Sequence, residues 1–212
     1  MKTYSCNKIT TDIVIDGNLA KPEWLSLEGM DLAENLTGEK PWQATMAKMA
    51  WNRDFLYIAF QGEDDVQRAS YRGFNDPLYE EDVVEIFIDD DRDLKTYLEI
   101  EVNPRNAVLH YLIHNDLQGE KLQFARIEPK VRSAVAYDQL NRIWKVEIAV
   151  PFAEFITATR IPPRDGDRWL MNLFRIDRAI KPEEDEYSAW SPTGKLDFHR
   201  PEFFGALVFK ED

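Results

Sequence analysis

Apolar and polar residues alternate singly along most of this chain, at the period of a β-strand rather than of a helix. Ile9, Thr11, Ile13 and Ile15 share one parity and Asp16-Gly17 follows as a turn, which predicts a first strand over 9–15. In LAKPEW, Pro22 suits the first turn of a short helix, with Trp24 turned inward. QATMAKMAW and FLYIAFQ flank the tight turn Asn52-Arg53-Asp54 and predict a hairpin. Residues 62–80 carry Gly62, Gly73, Asp76 and Pro77 and read as a long surface loop of the kind that carries function. Further on, Leu98, Ile100 and Val102 point one way, and Tyr97, Glu99, Glu101 and Asn103 the other. AVLHYLIHN pairs with that strand through Pro104-Arg105-Asn106, and 115–130 reads as polar loop. VRSAVAY and RIWKVEIAV make another hairpin, which Pro151 ends. WLMNLFRID, EYSAWSP and GALVFK supply the last strands, with loops over 178–186 and 191–202.

About ten short strands with regular turns and almost no helical period predict an all-β fold. The expected form is a β-sandwich, jelly-roll-like, of two antiparallel sheets with a few short helical turns. No repeat or linker divides the sequence, so 1–212 is read as a single domain.

One strand breaks the simple pattern. Tyr79 to Asp93 reads YEEDVVEIFIDDDRD, eight acids against one base around an apolar centre. Glu85 lies inside that centre. An ionised group buried without partners is costly, which places Glu85 where a ligand, a cation or water meets it. Glu80, Glu81 and Asp82 are read as a solvated rim, and Asp89 to Asp93 as a turn.

Composition narrows the ligand. The net charge of -13 opposes a nucleic-acid backbone or an anionic membrane, so neither is expected as a partner. Six Trp, eight Tyr and twelve Phe offer core volume and flat platforms for ring-shaped ligands. The single cysteine, Cys6, excludes an intrachain disulfide and a Cys/His metal cluster. MKTYSCNKITT lacks the apolar run of a signal peptide, so the expectation is a cytoplasmic protein as written, or an extracellular one if the chain is an excised fragment. Nothing in the pattern sets an oligomeric state.

Several phrases recur in order: IDGNLAKPEW, WNRDFLYIAF, YEEDVVEIFID, YLEIEVNP, WKVEIAVPF, DRWLMNLFRID, AWSP and FHRPEFFG. Together they resemble carbohydrate-binding module family 9 and its wider DOMON-like relatives, from about Ile9 to Phe209. The resemblance implies a non-catalytic β-sandwich that holds a mono- or oligosaccharide between two aromatic side chains, with a strand glutamate on the sugar hydroxyls. Carried over, the first aromatic is Tyr79, six residues before Glu85 and where the best-studied members have Trp; the second is Trp190.

Each candidate has a plainer alternative. Trp190 is a platform or a core residue. Glu85 and Glu99 accept hydrogen bonds from vicinal diols, or pair with Arg or Lys across the sheet. Asn172 and Arg175 are further candidate ligand contacts; they have opposite parity on one strand, so both face the groove only if a bulge intervenes, and the alternative for Arg175 is the buried counter-charge of Glu85. No cofactor is fixed by the sequence. Glu63-Asp64-Asp65 and Asp89 to Asp93 are candidate structural calcium ligands or exposed acidic turns. His110 and His114 sit too far apart for joint ligation, and His199 is read as a loop anchor. Other readings are a two-carboxylate glycoside hydrolase and a haem module using Met46 or Met49 with a histidine.

Overall fold

The computed structural model describes residues 1–211. After β1 (Thr3–Lys8) and the single-turn helix α1 (Pro22–Leu25) come two-residue strands β2 (Met30–Asp31) and β3 (Ala33–Glu34). The first hairpin is β4 (Thr45–Trp51) and β5 (Phe55–Glu63). Its turn is tied by Asn52, whose Oδ1 accepts from the Asp54 and Phe55 N–H groups, each at 2.9 Å. A meander follows: β6 (Val83–Asp89), β7 (Thr96–Val102), β8 (Val108–Asn115) and β9 (Lys121–Ala125). β10 (Arg132–Asp138) and β11 (Ile143–Pro151) form the second predicted hairpin. The chain ends with β12 (Arg168–Asp177), β13 (Glu186–Ala189) and β14 (Gly205–Lys210).

Hydrogen bonding runs unbroken in the order β10-β11-β5-β4-β1-β14-β12-β6-β7-β8-β9. The path folds over on itself. Ile58, Phe60, Val146 and Ile148 from one half meet Ile86, Ile88, Leu98 and Ile100 from the other in the main core. That is a sandwich, and the fold is all-β as expected. All ladders are antiparallel except those of β1, which runs parallel to both β14 and β4 and so joins the two layers.

Each layer also buries its outer face. On the β11-β5-β4 side, Ile13, Trp24, Tyr57 and Ala149 form a small cluster beneath the 9–27 segment. On the β12-β6-β7-β8 side, Val83, Phe87, Tyr97, Leu109, Phe174 and Phe204 form a larger one. The parity read from the sequence is therefore correct, but its polar face is not a solvent face.

Two segments differ from expectation. The first strand is Thr3–Lys8 rather than 9–15. The alternation of 9–15 has another cause: Ile13 is buried and Ile9 and Ile15 half-buried where the segment drapes over the outer face of β4 and β5. Within 115–130, read as loop, β9 pairs with β8 from Tyr111↔Ala125 to Asn115↔Lys121. All five of its residues are exposed, so no buried face marks it in the sequence.

Candidate functional site

Strands β6 and β7 lie side by side with Glu85 opposite Glu101 and Phe87 opposite Glu99. That register puts three glutamates on the outer face of one strand pair. One oxygen from each of Glu85, Glu99 and Glu101 lies within 4.8 Å of the others. All three side chains are buried. Glu85 Oε1, Glu99 Oε2 and both oxygens of Glu101 have no hydrogen-bond partner. Burial pushes the Glu85 carboxyl well above the usual carboxylate range, and Glu99 beside it adds to the rise. Burial raises Glu99 as well, and raises Glu101 with help from Glu85 and Glu99. Ionising one acid opposes ionising the next, so the three titrate as a group.

Glu85 and Glu99 line a cleft of about 290 Å³ together with Tyr79, Lys121, Arg178, Tyr187, Phe198 and His199. That is the low end of small-molecule sites, the scale of one or two sugar rings. Tyr79 is 43% exposed on a short 3-10 turn, Leu78–Glu80, whose Leu78 is anchored in the outer-face cluster. Arg178 holds that turn, donating from Nη2 to the Tyr79 carbonyl at 2.7 Å and from Nη1 to Asp185 at 2.9 Å and the Tyr187 hydroxyl at 2.7 Å. The aromatic wall from the C-terminal region is Phe198, stacked on Phe174 at 4.1 Å between centroids, with His199 against Phe87 at 4.9 Å.

His199 faces the acids as a neutral ring. Its Nε2 is 3.8 Å from Glu99 Oε1, but burial, and secondarily Lys121, hold its pKa at about 3. The Tyr97 hydroxyl accepts from Asn115 Nδ2 at 3.2 Å and lies 3.0 Å from His199 Nδ1, a contact that fixes the ring with its Nε2 edge toward Glu99.

Tyr79, Glu85 and Glu99 thus come together, while the other three predicted residues lie elsewhere. Trp190 is 5% exposed in the main core, so it offers no free face to the cleft. Asn172 is fully buried and staples its strand to the next segment, donating to the Ser191 carbonyl at 2.8 Å and accepting from the Ser191 N–H at 2.9 Å. Arg175 is not the counter-charge of Glu85. Its neighbour Phe174 pairs with Glu85 in the ladder, so Arg175 points to the opposite side. There it donates to Thr45 Oγ1 at 2.9 Å and the Glu63 carbonyl at 2.5 Å, and lies 3.4 Å from Asp177.

Glu101 escaped selection although it shares the parity of Glu99, which was the signal available for it. Arg178, Tyr187 and Phe198 escaped because they lie in or beside segments read as loops. Trp42, after Lys40-Pro41, is 93% exposed beside a second hollow of about 720 Å³ that shares Arg178 with the first.

The acidic runs also resolve. Asp89 accepts from the Arg92 and Leu94 N–H groups, and Asp93 from those of Lys95 and Thr96, so this run caps its own turn. Asp82 is not rim: it is fully buried and accepts from the Arg68 and Arg178 N–H groups. With Asp64 and Asp177 it forms a second cluster whose oxygens lie within 4.8 Å of one another. Both oxygens of fully buried Asp64 lack a partner. Calcium takes six to eight oxygens at about 2.3–2.6 Å, and oxygens this close together can reach one ion, with Arg175, 3.4 Å from Asp177, as the competing charge. Burial raises Asp64 to about 6 and Asp82 to about 7. Met49 is packed in the main core.

Residues 15–212 match the family described as Carbohydrate family 9 binding domain-like. The chain belongs to this family. A family 9 carbohydrate-binding module from Caldicellulosiruptor kristjanssonii in complex with cellotriose superposes with a TM-score of 0.71 at 17% identity, over 100% of this chain and 95% of that one. The same organism's family 9 module in complex with glucose gives 0.69 at 17% identity, over 100% and 97%. A candidate carbohydrate-binding protein from Bacteroides uniformis gives 0.77 at 18% identity, over 99% of each chain. These likenesses establish the family 9 fold across the chain. No curated protein matches the sequence.

Proposed function

We propose that the protein binds a mono- or oligosaccharide non-catalytically in the Tyr79 cleft. The observation that carries this reading is an exposed tyrosine face beside buried carboxylate oxygens that have no partner within the protein. A sugar ring presents C–H bonds to an aromatic face and hydroxyls at its edge, and a carboxyl group in either protonation state has oxygens that accept from those hydroxyls. Membership of a carbohydrate-binding family, and fold relatives seen with glucose and cellotriose, support it. Absence of catalysis is supported by the acids' placement. A glycosidase needs two carboxyl groups flanking one bond, whereas these three stand side by side on the outer face of one strand pair. A longer sugar would run from Tyr79 past Arg178 to Trp42.

Calorimetric titration with glucose, cellotriose and a panel of other neutral sugars tests the reading. We expect saturable heat with at least one sugar, and affinity at least tenfold weaker in Tyr79→Ala and in Glu85→Gln. Trp42→Ala should weaken only the longer ligand. Absence of binding across the panel, or full affinity in Tyr79→Ala, would sink the assignment.

A further inference from the structure

Glu147 shows how this fold buries a glutamate for structural ends. It is fully buried on β11, and its oxygens accept from Asp16 N at 2.9 Å, Gly17 N at 2.7 Å, Lys21 Nζ at 2.5 Å and Trp24 Nε1 at 2.6 Å. Glu101 is buried as deeply and has no partner on either oxygen. Glu85 and Glu99 each add a further buried oxygen without one. A buried carboxyl takes up a proton unless it is paired or coordinates a metal, and here no Lys or Arg nitrogen lies within ion-pair distance of the three acids among the described residues, so a bound cation is what would hold them ionised.

We propose that Glu85, Glu99 and Glu101 hold a calcium-class divalent cation on the floor of the Tyr79 cleft, and that vicinal hydroxyls of the sugar complete its coordination. The second half rests on the cleft being a sugar site; the first does not. The choice of ion follows from the donors. The three clustered side chains offer only carboxylate oxygens, the hard donors that a calcium-class ion takes. Oxygens within 4.8 Å of one another can all reach an ion whose bonds are about 2.3–2.6 Å long. Three carboxylates leave half or more of a calcium shell open, and Glu85 and Glu99 face the cleft. Three negative charges against a divalent ion leave one, and Lys121 stands at the same cleft to offset it. The Asp64–Asp82–Asp177 cluster is a separate set on the ends of β5, β6 and β12.

Calcium chloride titrated calorimetrically into chelator-treated protein tests the proposal. We expect Glu101→Gln to lower the calcium stoichiometry by one per chain, leaving any ion at Asp64–Asp82–Asp177 or Asp89–Asp91–Asp93 in place. Glu99→Gln serves as a second variant should Glu101→Gln fail to fold, with folding read by circular dichroism. Unchanged stoichiometry and affinity in both variants overturns the cation site. The sugar found to bind in the panel is then titrated into wild type and Glu101→Gln, each with excess calcium and with chelator. We expect calcium to tighten sugar binding at least tenfold in wild type and not in the variant. Equal sugar affinity with and without calcium overturns the bridging role and leaves the sugar reading intact. A calcium ion lost in Glu101→Gln, with no sugar bound in any condition, upholds the cation and removes the sugar reading instead.

Discussion

His110 has no exposed surface, and neither of its ring nitrogens has a hydrogen-bond partner. Burial, with Arg126 nearby as the lesser cause, holds its pKa at about 4. An imidazole in an unfolded chain titrates near about 6.5. As pH falls from there to about 4, the unfolded chain takes up a proton that the native state refuses, so stability is full above the upper value and drops on the way down. The loss from this residue approaches about 3 kcal/mol. Between pH 7 and pH 4, the stability of His110→Leu in urea unfolding should therefore gain on wild type by about that amount; buried acids such as Asp64 and Asp82, raised to about 6 and about 7, act in the opposite sense in both proteins and cancel in the comparison. At pH 7 the variant should be more stable by about 1 kcal/mol or more, because an orphaned polar group is gone. Residue identity alone did not reveal this, nor the orphaned state of Glu101. Burial of a polar side chain is set by what the rest of the chain lays over it. The 191–204 segment that roofs the outer face of β6 and β7 comes roughly a hundred residues later in the chain.

At the scale of elements, strands with one apolar face were legible and those without were not. β4 to β8 and β10 to β12 follow their alternation closely. β9, exposed on both faces, left no trace, and the Ile9–Ile15 alternation mimicked a strand because a draped segment can bury alternate residues without joining a ladder. The candidate site was read in the same proportion. Tyr79, Glu85 and Glu99 lie on one well-patterned unit, whereas Trp190 was chosen by phrase and turns out to be a packing residue. Its ring needs Gly205 at the start of β14, where an added Cβ would come within 2.6 Å of Trp190 Cη2. The backbone there is ordinary, so the cost of Gly205→Ala is purely one of space. Overpacking of this kind costs typically 1–3 kcal/mol, roughly 2–4 °C of melting temperature per kcal/mol for a chain of this size. A calorimetric scan of Gly205→Ala should show that drop, and sugar affinity at a temperature where the variant is folded should be unaffected.

For the whole molecule, Asp64, Asp82 and Asp177 join the ends of three strands drawn from both layers, since β5 lies in one and β6 and β12 in the other. An ion held there binds the native state and has no preformed site in the unfolded chain. Occupied at a hundredfold excess over its dissociation constant, it would stabilise by about 2.7 kcal/mol. Calcium should raise the melting temperature of chelator-treated protein, and Asp64→Asn should remove this site's share of that rise, leaving any share due to Glu85, Glu99 and Glu101. A shift that survives Asp64→Asn in full would assign the effect elsewhere.

The parallel placement of β1 between β14 and β4 has a mechanical side. Thr3 pairs with Ala206 and Asn7 with Lys210, so the leading end of β1 and the trailing end of β14 lie at opposite ends of one ladder. A pull applied through the two chain ends would load that ladder lengthwise. Its rungs would share the tension and yield together instead of peeling one at a time. Stretched by its ends, the domain should resist with a single high rupture force, whereas a pull through 118–119, in the turn between β8 and the edge strand β9, should unzip that margin of the sheet at a much lower one.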